Sequence, residues 1–178
     1  WAYIDPRALT GLLGLEVGTQ QDPLEFSKLF MGLVETSFKA STNSMLTSHF
    51  EQVLRGKQEY QTTCKTCRNK SVRPETFDEL ELQIKGHKNV TGCLQSYLTP
   101  EILDGDNRYY CDTCGGKQEA ERCIQIKSMP QVLSVQLLRY QYNRITWEKE
   151  KLKDPVVIED TLDLSGVHGV EESSVTSG

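Results

Sequence analysis

The chain has 178 residues, 37% of them hydrophobic, which is enough apolar side chain for a packed core. Its formal net charge of −5 argues against a nucleic-acid grip, which needs a concentrated basic face, and favours a basic partner. No run approaches the ~20 apolar residues of a membrane span and no signal peptide is visible; the chain opens on Trp1 and is expected to be an excerpt of a longer polypeptide.

Near the start, Ala8, Leu9, Leu12, Leu13 and Leu15 form an apolar run that predicts a short helix ending near Gly14. A second helix starts more clearly. Asp22 is a good N-cap, Pro23 suits the first helical position and Glu25 completes a capping-box-like start. Phe26, Leu29, Phe30, Leu33, Val34 and Phe38 then recur at helical spacing and predict an amphipathic core helix of about four turns. The polar Ser/Thr/Asn stretch at 41–48 is expected to be a connection, followed by a strand through Tyr60.

From Phe77 to Ile84 the alternation of Leu80, Leu82 and Ile84 predicts a half-buried strand, with Phe77 off register at a bulge. Val90, Cys93, Leu94, Tyr97 and Leu98 share one helical face that Pro100 ends, so Cys93 is expected as a small apolar member of that face. Strands are predicted at Arg122–Lys127, from Leu133 through Val135 and Leu137 to Tyr142, and at Val156–Ile158. The Ser-, Gly- and Glu-rich segment 165–178 has little to bury and is expected to be a mobile loop. Helices first and strands later give an α+β layout.

The strongest chemical signal is a pair of CxxC motifs, Cys64/Cys67 and Cys111/Cys114. Two residues between paired cysteines let one tight knuckle present both sulfurs to one ion, so four such thiolates predict a structural Zn2+ site. Gly115 and Gly116 follow the second pair where a knuckle needs positive φ, and Asn69 is placed to supply it near the first. Lys65, Arg68, Lys70, Arg108 and Lys117 are close enough in sequence to offset the negative charge of a four-thiolate zinc. The competing readings are four unrelated buried thiols or a redox dithiol, but neither pair has the βαβ setting of a redox site. Paired thiolate ligands fit a reducing compartment, so an intracellular location, nucleus or cytoplasm, is expected.

Several segments together resemble the ubiquitin-specific protease family of cysteine deubiquitinases. Gln20-Gln21-Asp22-Pro23-Leu24-Glu25-Phe26 resembles the family's QQD motif at a helix start. Gly56 through Cys64-Lys65-Thr66-Cys67, the Phe77–Ile84 strand and Tyr109-Tyr110-Cys111-Asp112-Thr113-Cys114 resemble its zinc-bearing fingers. Met129-Pro130-Gln131-Val132-Leu133 through Leu138-Arg139-Tyr140 is similar to its LPxVLxxxLxRF stretch, and Lys151-Leu152, Val156 and Leu162-Asp163-Leu164 are similar to the segment preceding its histidine box.

The resemblance implies the central part of a papain-like cysteine-protease catalytic domain carrying a zinc-ribbon β fingers insertion. It divides the chain into a helical thumb part at 1–40, zinc-bearing fingers at 50–127, and palm strands with a mobile tail at 128–178. It implies ubiquitin and ubiquitinated proteins as partners, without nucleic acid or membrane, and isopeptide hydrolysis after ubiquitin's C-terminal glycine. It also assigns Asp22 and Glu25 to the basic tail of ubiquitin, where carboxylates form charge-assisted hydrogen bonds with arginines. The same two residues serve equally as an N-cap and capping box. Pro23 stands where the family has a small or polar residue. Tyr140 and Tyr142 either flank the tail channel or pack in the core at a strand end.

The family's reaction needs a cysteine nucleophile, a histidine and an orienting Asp or Asn. The cysteine box, approximately GxxNxGxTCxxNS, is expected before Trp1 and the Gly-His-Tyr run after Gly178. His49 and His87 read as surface residues; His168 alone sits near the expected chain position, but its glycine follows it and no aromatic does. Cys123 reads as a strand residue. The alternatives to a deubiquitinase are a non-catalytic, zinc-stabilised ubiquitin-binding module and a thiol oxidoreductase.

Overall fold

The structure, a computed structural model, describes residues 5–16, 18, 23–142, 147–164, 167, 169 and 170. The chain forms two compact units, 1–51 and 52–178. No described helix is long and apolar enough to cross a membrane.

In the first unit, α1 (Arg7–Leu12) ends just before Gly14, whose φ of +65° lets the chain turn out of the helix. The second helix, α2 (Pro23–Lys39), begins on Pro23 with Glu25 in its first turn, and a Glu35–Lys39 ion pair of 2.8 Å closes its last turn. The expected core helix is thus present as a helix, but none of its residues is buried, and Phe26, Leu29 and Phe30 remain 37%, 40% and 37% exposed. Phe26 and Phe30, one turn apart, stack with ring centroids 6.1 Å apart. The polar stretch expected to be a connection opens another helix, α3 (Ser44–Leu54). Asn43 Oδ1 accepts the Met45 N–H at 3.1 Å, and Leu46, Phe50, Val53 and Leu54 recur at helical spacing. Ser and Thr favour caps over helix interiors, which hides this helix in the sequence. Phe50 is buried and meets Phe38 edge-on at 6.0 Å.

The second unit is built on a long antiparallel sheet. β1 (Gly56–Cys64) pairs on one side with β2 (Lys70–Phe77) and on the other with β7 (Ala120–Ser128), whose far edge carries β4 (Glu101–Leu103). The second strand escapes a sequence reading because Pro74 sits inside it; it is an edge strand, where a missing N–H costs no ladder bond. Phe77 belongs to this strand and is not a bulged start of the next. The chain breaks at Asp78, and β3 (Glu79–Gln83) follows with Leu80, Leu82 and the adjoining Ile84 all but fully buried. Arg55 bonds the Asp78 carboxylate through Nε at 2.8 Å and through a terminal nitrogen at 3.2 Å, fixing that break.

Helix α4 (Val90–Leu98) lies where expected. The Asn89 side chain accepts the Gly92 N–H at 3.0 Å as N-cap, and Val90, Cys93, Leu94 and Leu98 are buried. Glu159, distant in sequence, accepts from the first-turn amides of Val90 (3.1 Å) and Thr91 (3.3 Å); the Thr91 side chain foremost, with these amides adding to it, holds its pKa below the ordinary range. This helix, β3, Phe77 and the inner end of β7 at Ile126 form one core, completed by Leu152 and Val167.

The strand expected to run to Tyr142 is divided at Arg139 into β8 (Ser134–Leu138), parallel to β3, and β9 (Tyr140–Tyr142), antiparallel to β10 (Lys149–Lys151). The expected strand at Val156–Ile158 reduces to a single bridge between Val157 and Asn89. Within the segment expected to be mobile, Val167 is buried, the Gly169 carbonyl accepts the Ile126 N–H at 2.6 Å, and Val170 bridges Ile126; 171–178 lie outside the described residues.

Candidate metal centre

The tip of the long sheet is closed by two turns of matching design. β1 delivers Cys64 into the first turn, where Arg68 N–H donates to Cys64 O at 3.0 Å and Cys64 N–H to Asn69 O at 3.0 Å. A short hairpin, β5 (Tyr109–Cys111) and β6 (Gly116–Gln118), forms the second turn, with Cys111 opposite Gly116 and Gly115 N–H donating to Asp112 O at 3.3 Å. Gly115 has φ of +67°, as expected. In the first turn the left-handed residue is Arg68, at φ 63°, and not Asn69. The requirement falls on the residue directly after the second cysteine of each pair, whatever its side chain.

These turns bring all four sulfurs together, each within 4.8 Å of the others. Across the pairs, Cys64 Sγ lies 4.0 Å from Cys114 Sγ and Cys67 Sγ 3.6 Å from Cys111 Sγ. A tetrahedral ion with metal–sulfur bonds of ~2.3 Å separates its sulfurs by about 3.8 Å, so this donor set fits such an ion. All four are free cysteines, and the closest contacts run between the pairs, so the four sulfurs form one cluster and not two separate dithiols in space. Cys64 and Cys111 are fully buried.

Without an ion the four sulfurs do not share one ionisation state. The Cys67 backbone N–H, aided by that of Thr66, stabilises the Cys64 thiolate and brings its pKa down to about 7. Across the cluster, the neighbouring Cys67 sulfur and burial push Cys114 up to about 12. Sulfurs this close ionise together only when a cation offsets their repulsion.

Two links between the turns carry no sequence signal. Lys65 N–H donates to Glu119 O at 2.8 Å, and Thr66 Oγ1 donates to Gln118 Oε1 at 2.7 Å. Ala120, opposite Cys64 in the ladder, is fully buried.

The remaining candidates are dispersed. Asp22 and His168 lie outside the described residues. Glu25 is exposed on the first turn of α2. Tyr140 and Tyr142 are 61% and 54% exposed on β9, so neither packs in the core of these described residues; Lys151 Nζ lies 5.9 Å from the Tyr140 ring centroid. His49 is exposed on α3, and His87 sits half-buried after the turn at Gly86. Cys93 is buried in the α4 face as expected, and Cys123 lies half-buried on β7; burial raises both thiol pKa values, the reverse of what a nucleophile needs.

This fold and four-sulfur tip define a mixed helix-and-sheet domain of the ubiquitin-hydrolase type. The Ubiquitin carboxyl-terminal hydrolase family matches residues 2–177, and the chain belongs to that family. It is 43% identical over 162 residues to Ubiquitin carboxyl-terminal hydrolase 48 of Danio rerio, covering 91% of this chain and 16% of that protein. It is 36% identical over 180 residues to Ubiquitin carboxyl-terminal hydrolase 26 of Oryza sativa subsp. japonica, covering 99% and 17%. Among solved structures it is similar to a chain of the SAGA Ubp8/Sgf11/Sus1/Sgf73 DUB module bound to ubiquitin aldehyde, with a TM-score of 0.66 and 26% identity over 79% of this chain and 31% of that one. The chain spans about one sixth of the length of the curated relatives it matches.

Proposed function

We propose that this chain is the ubiquitin-recognising middle of a thiol-dependent deubiquitinase domain, which hydrolyses isopeptide bonds after the C-terminal glycine of ubiquitin. The observation that carries the proposal is the family match from residue 2 to residue 177. It is supported by relatives named as ubiquitin hydrolases and by a similar fold in a module bound to ubiquitin aldehyde.

In this proposal Cys64, Cys67, Cys111 and Cys114 hold a structural Zn2+, supported by their mutual spacing. With four protein ligands such an ion has no open position for substrate and serves as a cross-link between β1 and the β5–β6 hairpin. Asp22 and Glu25 bind the arginines of the ubiquitin tail, and the exposed Tyr140 and Tyr142 flank its glycine backbone. Segments outside this chain supply the nucleophilic cysteine and the histidine. The raised thiol pKa values of Cys93 and Cys123, and the commitment of the other four sulfurs to the metal, support that assignment. Free thiols and a thiolate site fit a nuclear or cytoplasmic location.

The complete protein is expected to release the fluorophore from ubiquitin-aminomethylcoumarin. Glu25→Gln keeps a side chain able to complete a capping box but removes the charge, and should lower kcat/KM about tenfold. Ubiquitin binding by the complete protein without any turnover would overturn the hydrolase proposal in favour of a non-catalytic ubiquitin-binding module.

A further inference from the structure

A cavity of about 490 Å³ lies on the sheet face, where Arg73 and Arg122 already pair with Glu75 and Glu101. A second cavity, of about 360 Å³ at the tip itself, is different: it is lined by Lys65, Thr66, Arg108, Lys117, Gln118 and Glu119. Three positive charges there face the single negative charge of Glu119. Among the described residues, none of Lys65, Arg108 and Lys117 has an ion-pair partner. The cations come from three separate stretches: the first turn, the approach to β5, and β6. Their convergence is fixed by the two links across the turns, Lys65 N–H to Glu119 O and Thr66 Oγ1 to Gln118 Oε1. In a chain of net charge −5, this is a concave, preformed site whose wall carries three cations against one carboxylate, and the part of that charge not spent on the thiolates behind it faces outward.

We propose that this tip cavity docks an acidic segment of a protein partner, with a carboxylate seated among Lys65, Arg108 and Lys117. The cavity admits one or two side chains, and Thr66 and Gln118 supply polar contacts at its wall. Asp104, Asp106 and Asp112, exposed in the loop and turn around Arg108, oppose an extended phosphodiester backbone; a short carboxylate-bearing peptide meets the three cations with Glu119 as the one opposing charge of the cavity wall. The site deepens nothing in the hydrolase proposal and stands apart from it, because its ligand is not ubiquitin's basic tail.

The test is fluorescence anisotropy of a fluorescein-labelled hexaglutamate peptide with the complete, zinc-loaded protein at low salt. Saturable binding is expected, weakened at least tenfold in Lys65→Gln/Lys117→Gln and in Lys65→Glu/Lys117→Glu, and retained in Lys65→Arg/Lys117→Arg. Zinc content, measured on each variant, should stay at the wild-type value. The proposal is overturned if the wild type shows no saturable binding or if neither charge-removing variant weakens it. It is equally overturned if a thymidine dodecamer binds more tightly than the peptide, which would make this a nucleic-acid site. Loss of zinc from both charge-removing variants, with retention in Lys65→Arg/Lys117→Arg, would show that the cations serve only the metal and would also overturn it.

Discussion

Arg68 and Gly115 occupy the same place in two unrelated stretches of chain, each the first residue after a CxxC pair and each in the left-handed region, at φ 63° and 67°. For Gly115 the conformation is free of a Cβ penalty; for Arg68 it costs ~1–2 kcal/mol. Replacing Arg68 by Gly removes that cost but lets the unfolded chain gain about 0.4–1 kcal/mol of conformational freedom. The net expectation for Arg68→Gly is a stabilisation of about 0.5 kcal/mol, whereas Gly115→Ala should destabilise by about 1 kcal/mol. Thermal unfolding of the two variants under zinc-replete conditions checks the asymmetry, and equal losses in both would contradict it.

Removal of the proposed Zn2+ should act locally. Chelation, or Cys111→Ser, leaves Cys64, Cys67 and Cys114 without a common ion, and the β5–β6 hairpin retains only three residues in each strand. A two-stranded hairpin of that size has no independent stability. Amide exchange should therefore become fast over 109–118 while the amides of α4 stay protected. A Cys111→Ser protein that holds one equivalent of zinc and keeps the hairpin protected would show that the four cysteines do not form one site.

Alkaline pH should destabilise the fold through Tyr97. Burial, with a smaller contribution from Tyr60, raises its pKa to about 12, and its hydroxyl donates to Gln58 Oε1 at 3.3 Å. A tyrosine in the unfolded chain ionises near 10, so the folded state favours the neutral hydroxyl. Its contribution is complete below about pH 10 and is lost as the pH rises towards 12. Tyr97→Phe removes that step from the stability–pH curve. At neutral pH it also costs about 1 kcal/mol, because Gln58, only 4% exposed, loses a hydrogen-bond donor. Urea midpoints of wild type and Tyr97→Phe at pH 7 and pH 11 separate the two effects.

Gly169→Ala should release the strap on β7. A Cβ at this residue would lie 2.6 Å from the Ile124 carbonyl oxygen, and the φ of +83° disfavours any side chain. Backbone cannot yield as a side chain tip can, so a loss of about 2–3 kcal/mol is expected, with deprotection of the Ile126 amide that Gly169 now binds. Unchanged exchange at Ile126 would show that the strap tolerates the substitution.

Legibility from sequence followed physical range. The four sulfurs were legible because metal ligation demands particular side chains at particular spacing, and α4 was legible because its apolar face and terminating Pro100 are both local, whereas its Asn89 cap emerged only with the structure. β2 was not, since Pro74 reads as a breaker until its strand is known to be an edge. α3 was not, since its Ser/Thr-rich start favours a turn and its helical fate is decided by Phe50 packing. The exposure of Tyr140 and Tyr142 was not legible either: alternation marks which residues share a face, but not which face is covered. The tip cavity lies further still from a linear reading, as Lys65, Arg108 and Lys117 meet only through pairings across the two turns.

The paired strands β1 and β7 run from the Cys64–Ala120 pair at the sulfur cluster down to Ile126, opposite Gln58, where the sheet enters the core. The seven residues from Ala120 to Ile126 reach about 20 Å, so a tilt of about 3° at the root carries the tip through about 1 Å. The ribbon is a lever arm: a load hung at its far end arrives as torque at Ile126 and at the strap that clasps it.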